Sequence, residues 1–237
     1  MGDSAYFVID ACGAVYVTVT KAFPAVWGGP IGLRLEFAAI FIVTPLVMAL
    51  GLPPQMIWSG LAGMFVVAVL LLSITKGFSW RSLMSRPLVP GLLLLTAFVL
   101  LTSLVAVGLV TWLRPHALFW LPRHDERLWL LIMVAYPFLS ALPQEIVFRA
   151  LFFARYGGLF PNAGTAIVVN GAVFSLAHLF YWNWPAVILT AAGGVIFAWA
   201  YQRRGSFFYA WLMHSIAGQI IFTTGLGMYF YHGAVGY

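Results

Sequence analysis

The sequence predicts an all-α polytopic integral membrane protein with seven to eight transmembrane helices, and three observations point that way. Charge is scarce: 8% of the 237 residues are Asp, Glu, Lys or Arg and 63% are hydrophobic, whereas soluble domains carry about 25% charged residues. The apolar residues come in runs close to the roughly 20 that a bilayer-crossing helix needs. Most Lys and Arg residues fall between those runs, as they do in loops that anchor membrane helices. With a mean hydropathy of +0.98, residues 1–237 read as a single membrane domain with no separate soluble domain.

Seven segments carry the signal clearly, at roughly 35–51, 56–74, 88–113, 128–156, 163–180, 184–201 and 207–230. A weaker one covers about 5–20 and is interrupted by Asp10. Between the segments, Lys76, Arg81 and Arg86 share one loop, Arg155 opens the turn at 155–162, and Arg203 and Arg204 sit together. The positive-inside rule assigns these loops to the cytoplasmic face. The net charge of +6 is thus accounted for by loops, and nucleic acid is not an expected partner. Cys12 is the only cysteine, which excludes an intrachain disulfide and a cysteine metal cluster. No removable signal peptide is read at the N-terminus, and the expected location is multi-pass in a bacterial cytoplasmic (inner) membrane.

The run 128–156 is too long for one simple span and contains Pro137 and Pro143. Proline lacks the backbone donor and clashes with the preceding turn. The pattern predicts a helix break near Pro143, with one helix ending near Ala141 and another starting at Pro143. Gln144 and Glu145 would then lie in a first turn, where the helix dipole favours negative charge.

Among the six acids, Glu145 is the one placed deep in an apolar run. An ionised group within a span costs a few kcal/mol or more, so it is normally paired or functional. Arg149, four residues on, is a natural partner. Glu36 follows Arg34 by two residues, a spacing that puts them on different helical faces; no specific pair is assigned, and it reads as an acid held at the membrane interface. His178 and His214 occupy two further apolar segments. One buried carboxylate and two buried imidazoles suit acid–base chemistry on a water molecule. The same Glu145, His178 and His214 could alternatively ligate Zn²⁺. The His-Glu-x-x-His helix of familiar zinc hydrolases is absent, so the reading without a metal cofactor takes precedence. Counting 1.5 Å per residue places Glu145 and His214 toward the cytoplasmic side and His178 nearer the outer side.

Gln144-Glu145-Ile146-Val147-Phe148-Arg149, then Phe174-Ser175-Leu176-Ala177-His178, then His214 with Gly218 four residues later, occur in order on three segments. This succession resembles the CAAX protease and bacteriocin-processing (CPBP) family of intramembrane endopeptidases, which includes the type II CAAX prenyl proteases. The resemblance covers roughly 128–220. It implies hydrolysis of a peptide bond near the membrane-associated end of a membrane-anchored or lipidated protein or peptide, within the lipid bilayer. Carried over, Glu145 and His178 would activate water, His214 would face the oxyanion, and Arg149 would orient the glutamate motif. The sequence departs from the family pattern at Gln144, where a first glutamate is usual, and at Gly218, where a polar residue is usual. Gln144 and the neighbouring Gln219 are therefore supporting candidates.

These departures keep a second class open, a catalytically degenerate member that binds or scaffolds a membrane partner. A third is a proton-coupled transporter using Glu145 and the histidines as a relay, against which the chain shows no two-half repeat. Other residues read as structural. Trp120, Trp129, Trp182 and Trp184 lie near segment ends, as interfacial aromatics do. Ala191-Ala192-Gly193-Gly194 suits close helix packing, and Asn170 suits a helix-packing polar contact.

Overall fold

The computed structural model describes residues 6–9, 15–18, 29–53, 56–84 and 91–230. Asp10, Cys12, Lys21, Arg86 and His232 lie outside them. The weak segment 5–20 contains no described helix. Its described parts, β1 (Tyr6–Ile9) and β2 (Val15–Thr18), pair antiparallel from Tyr6↔Thr18 to Ile9↔Val15. Seven of these eight residues are Val, Ile, Tyr or Phe and the eighth is Thr, a composition that favours strand over helix.

Everything else that is regular is helical. Among the described residues six helices are long and apolar enough to cross a membrane: α1 (Gly29–Gly51), α2 (Ile57–Ile74), α3 (Leu92–Leu113), α4 (Glu126–Leu159), α5 (Ala163–Tyr181) and α6 (Trp184–Arg204). A further helix, α7 (Phe207–Thr224), has 18 residues but carries His214, Ser215 and Gln219 and is not among the six. Short polar side chains start the C-terminal helices by accepting orphan backbone N–H groups. Asp125 accepts from Leu128 N at 2.9 Å, Asn162 from Thr165 N at 2.9 Å, Asn183 from Ala186 N at 2.9 Å and Ser206 from Tyr209 N at 3.2 Å. Gly225 ends α7 at φ +108°, and a Cβ there would stand 2.1 Å from the Ala117 carbonyl oxygen.

Helix α4 has 34 residues, about 50 Å at 1.5 Å per residue, more than a bilayer's hydrocarbon core requires. The expected break near Pro143 is absent. Ala141, Ile146 and Glu145 all keep right-handed helical dihedrals, and the chain changes winding instead. Wide π-helical turns cover Pro137–Ala141 and Ile146–Tyr156, with one ordinary turn, Leu142–Glu145, between them. A π turn adds a residue per turn and moves the hydrogen-bond partner on by one, so the proline ring and its missing donor are absorbed without a stop. The altered winding buries almost all of 146–156.

That buried stretch is the core of the bundle. Val147, Leu151, Phe152 and Tyr156 pack with Leu33 and Phe41 of α1 and with Ala68 and Leu72 of α2. Helices α5 and α6 make the most extensive pairing, and the small residues explain it. A Cβ on Gly194 would lie 2.9 Å from the Gly171 Cα, and one on Gly171 would lie 2.4 Å from Val195 Cγ2. The close packing predicted for 191–194 is therefore present. Leu92, Leu93, Leu100, Leu101 and Leu104 of α3 are exposed, as a lipid-facing surface requires.

Two charges differ from expectation. Glu36 is buried and paired, and Arg155 belongs to the helix core rather than to a charged turn. Arg155 Nε and Nη2 donate to Glu36 Oε1 and Oε2, the second at 3.1 Å, while Tyr156 donates to Oε1 at 2.7 Å. Arg155 Nη1 also donates to Thr75 Oγ1 at 3.1 Å. The cluster ties α1 to α4 and to the end of α2. Its partners lie 119 residues apart, so a local spacing rule could not find them.

Candidate active site

The winding of α4 sets the site. Tyr136, Ser140 and Gln144 recur at intervals of four and form one stripe that lines a partly open cavity of about 530 Å³. Phe174 and His178 from α5, Phe197 from α6, and His214 and Gly218 from α7 line the same cavity. Three separate helices thus deliver the residues of the three motifs to one place. His178 and His214, expected at different depths, both stand against the Phe174 ring, with centroids 4.6 and 5.5 Å from it. His178 follows the last α-helical turn of α5 and joins a 3-10 turn, Leu179–Tyr181.

Glu145 points the other way from Gln144. It is fully buried and not part of the cavity lining. His214 Nδ1 stands 2.8 Å from its Oε1, and Arg149 Nε forms an ion pair with its Oε2 at 3.2 Å. A carboxylate only accepts, so Nδ1 of His214 carries the proton. The other ring nitrogen, Nε2, faces the Tyr136 hydroxyl at 3.2 Å. The imidazole is stacked on Phe197, with centroids 4.8 Å apart and planes inclined by 14°. Packing and two polar contacts therefore fix both its plane and its tautomer.

Arg149 is fully buried as well. Besides Glu145 it donates from Nη1 to Asn170 Oδ1 at 3.2 Å, and its guanidinium lies 4.7 Å from the Phe174 ring centroid and 5.6 Å from that of Phe197. Aromatic faces attract cations, so the rings serve where acceptors are lacking. Asn170 in turn donates to the Phe148 carbonyl. It does more than join helices, because it reaches the arginine that neutralises Glu145.

His178 Nδ1 is 2.8 Å from the Phe174 carbonyl oxygen. A carbonyl also only accepts, so Nδ1 is the protonated nitrogen and Nε2 is left as the basic one. Gln144 donates from Nε2 to Ser140 Oγ at 2.9 Å, while its buried Oε1 accepts no hydrogen bond among the described residues. A buried acceptor without a donor is costly, and here it belongs to a side chain on the cavity wall.

Gln219 is not brought to the site. It donates to the Met133 carbonyl at 2.8 Å and fastens α7 to α4. Among the described residues no three His, Cys, Asp and Glu side chains group to hold a metal ion. Glu145 directs both oxygens at His214 and Arg149, so Glu145, His178 and His214 do not share one centre. Tyr136, Ser140 and Phe197 escaped the sequence reading. The interval of four linking Tyr136, Ser140 and Gln144 was the available signal for two of them.

With this geometry in view, the comparison with known families is decisive. Residues 126–220 match the family model described as type II CAAX prenyl endopeptidase Rce1-like. Over that segment the chain is similar to this CAAX protease family. The match begins at the first residue of α4 and ends in α7 beyond Gly218, so it contains every cavity-lining motif residue named above. Neither the curated proteins nor the solved structures give a match to the chain. The six apolar helices mark an integral membrane protein, and its segment 126–220 is similar to the type II CAAX prenyl endopeptidases.

Proposed function

We propose that the protein hydrolyses a peptide bond of a membrane-anchored or lipidated protein inside the bilayer, without a metal cofactor. The observation that carries this reading is the convergence of Gln144, His178 and His214 on one largely apolar cavity within the bundle. An apolar cavity among membrane helices suits a lipid-bearing chain, and its few polar groups suit one reacting bond.

In this mechanism Gln144 Oε1 accepts one hydrogen of a water molecule and His178 Nε2 takes the other as a proton. The water oxygen bonds to the carbonyl carbon, whose π electrons move to oxygen. The tetrahedral oxyanion forms on the side of the cavity where His214 stands. His178 then gives its proton to the amide nitrogen as the C–N bond breaks, leaving a new carboxyl terminus and a free amine. Glu145 acts through His214 rather than on water, since it is closed off from the cavity. This revises the expectation that Glu145 and His178 together activate water.

The test is cleavage of a prenylated-cysteine peptide with a short C-terminal extension by detergent-purified protein. Chelator-resistant cleavage that falls about 100-fold or more in His178→Ala and His214→Ala supports the mechanism. Loss on chelation with recovery on adding zinc would sink the metal-free part. A second reading rests on Gln144, because an amide cannot take a proton. If well-folded native protein cuts nothing and Gln144→Glu does cut, the protein is a binding member of the family.

A further inference from the structure

The hydroxyl of Tyr136 has a place in the site that no motif predicts. It stands 3.2 Å from His214 Nε2, and both residues line the cavity. The tyrosine ring occupies its position only because residue 218 has no side chain. A Cβ on Gly218 would meet Tyr136 Cε1 at 2.1 Å, Cζ at 2.2 Å and the hydroxyl oxygen at 2.6 Å. Contacts that short require the ring to move, so the ring in this position and a side chain at 218 exclude each other. The family pattern has a polar residue where Gly218 stands. The polar group is not lost from this part of the cavity; it arrives from α4 instead of α7.

We propose that Tyr136 is the donor to the substrate's carbonyl oxygen, and that Gly218 is the space its ring requires. This deepens the endopeptidase reading and rests on it. The chain of contacts runs from Glu145 through His214 to Tyr136. The Tyr136 hydroxyl turns about its C–O bond, so its hydrogen can leave His214 Nε2 and donate to a substrate oxygen in the cavity. As the tetrahedral oxygen gains charge, the hydroxyl holds it by a hydrogen bond with no net proton transfer. A donor placed beforehand in a site of low polarity acts most strongly where charge develops. Glu145 holds His214, and His214 Nε2 holds the hydroxyl in place beside the cavity. Tyr136 is thereby a catalytic residue, and Glu145 and Gly218 are positioning residues.

Tyr136→Phe keeps the ring against Gly218 and removes only the hydroxyl. The expected result is a kcat reduced about 10²–10³-fold with KM changed little. Gly218→Ala displaces the ring and lowers kcat to a similar extent, and the double variant is no slower than either single one. A peptide phosphinate, compared with the same peptide carrying a neutral methylene, gives a readout that needs no turnover. Native protein should prefer the anionic tetrahedral group, and Tyr136→Phe should lose that preference while keeping the native melting temperature. If Tyr136→Phe cleaves within about threefold of native, Tyr136 is not the donor and the endopeptidase reading stands. If native protein cleaves nothing but shows the phosphinate preference and loses it in Tyr136→Phe, the donor role stands and hydrolysis of this substrate class falls. If native protein neither cleaves nor prefers the phosphinate, both are overturned.

Discussion

Glu145 Oε1 and His214 Nδ1 lie 2.8 Å apart, with the carboxylate fully buried and with Arg149 Nε 3.2 Å from its other oxygen. The carboxylate is therefore shared between a fixed cation and an imidazole that reaches the cavity. Glu145→Gln keeps the shape but removes the carboxylate that holds His214 Nδ1–H and faces Arg149. Its expected effect is a loss of about 10²-fold or more in kcat. Glu145→Ala also leaves Arg149 as an uncompensated buried charge, a change that costs about 3–5 kcal/mol. Replacing both, as in Glu145→Leu with Arg149→Met, should restore most of that stability without restoring cleavage. Thermal unfolding in detergent, read beside the activity assay, separates the two effects. If the double replacement is as unstable as Glu145→Ala, the pairing argument fails.

Glu36 and Arg155 form another buried pair, and neither lines the cavity. Arg155 bonds both Glu36 oxygens and Thr75, and Tyr156 adds a third donor to Glu36. Arg155→Ala should thus destabilise the bundle by about 3–5 kcal/mol. The protein that remains folded at low temperature should keep a near-native KM and kcat. A large change in kcat with unchanged stability would contradict a purely architectural role.

The contact of α5 with α6 gives a third expectation. A methyl on Gly194 would lie 2.9 Å from Gly171 Cα and 3.1 Å from two Phe174 side-chain atoms. Phe174 is the residue whose carbonyl holds His178 and whose ring faces Arg149. Gly194→Ala should therefore cost about 1–3 kcal/mol through overpacking and lower activity by displacing the site. Gly193→Ala, whose Cβ would meet only the far edge of the Phe197 ring at 3.3 Å, should be milder. Equal effects from the two substitutions would argue against the Phe174 route.

Much of the fold was legible because bilayer thickness imposes a length and hydropathy rule on each segment. The predicted 184–201 and the observed Trp184–Arg204 differ by three residues at one end. The weak segment 5–20 was harder, because its apolar stretches are broken and rich in residues that favour strands. Pro143 misled in the opposite sense. Proline forbids an ideal α-turn, and the chain met that constraint with π turns rather than a break. Glu145, Arg149, His178 and His214 could be selected because polar groups in apolar runs are few. Which of them reach the cavity depends on helix rotation, and sequence spacing does not set that across wide turns. Gln144 and Glu145 show the consequence, since adjacent residues end on opposite sides of the cavity wall. Glu36 and Arg155 were missed for a simpler reason, a separation of 119 residues.

Gln144 carries the last prediction. Its Oε1 is buried and accepts no hydrogen bond among the described residues, while Nε2 is held by Ser140 at 2.9 Å. The amide can orient a water molecule, but His178 must then take the proton alone. Gln144→Glu places a proton-accepting carboxylate on the cavity wall at nearly the same size. General bases typically contribute 10²–10⁴-fold, and part of that is already supplied by His178. The expected gain in kcat is about tenfold or more, with little change in KM. Gln144→Ala should go the other way, because the water loses its orienting acceptor. A steady-state comparison of the three proteins on the prenylated-cysteine peptide decides the matter. If Gln144→Glu is slower than native protein, the amide is tuned to this site and His178 is a sufficient base. If Gln144→Ala is as fast as native protein, residue 144 does not touch the water at all.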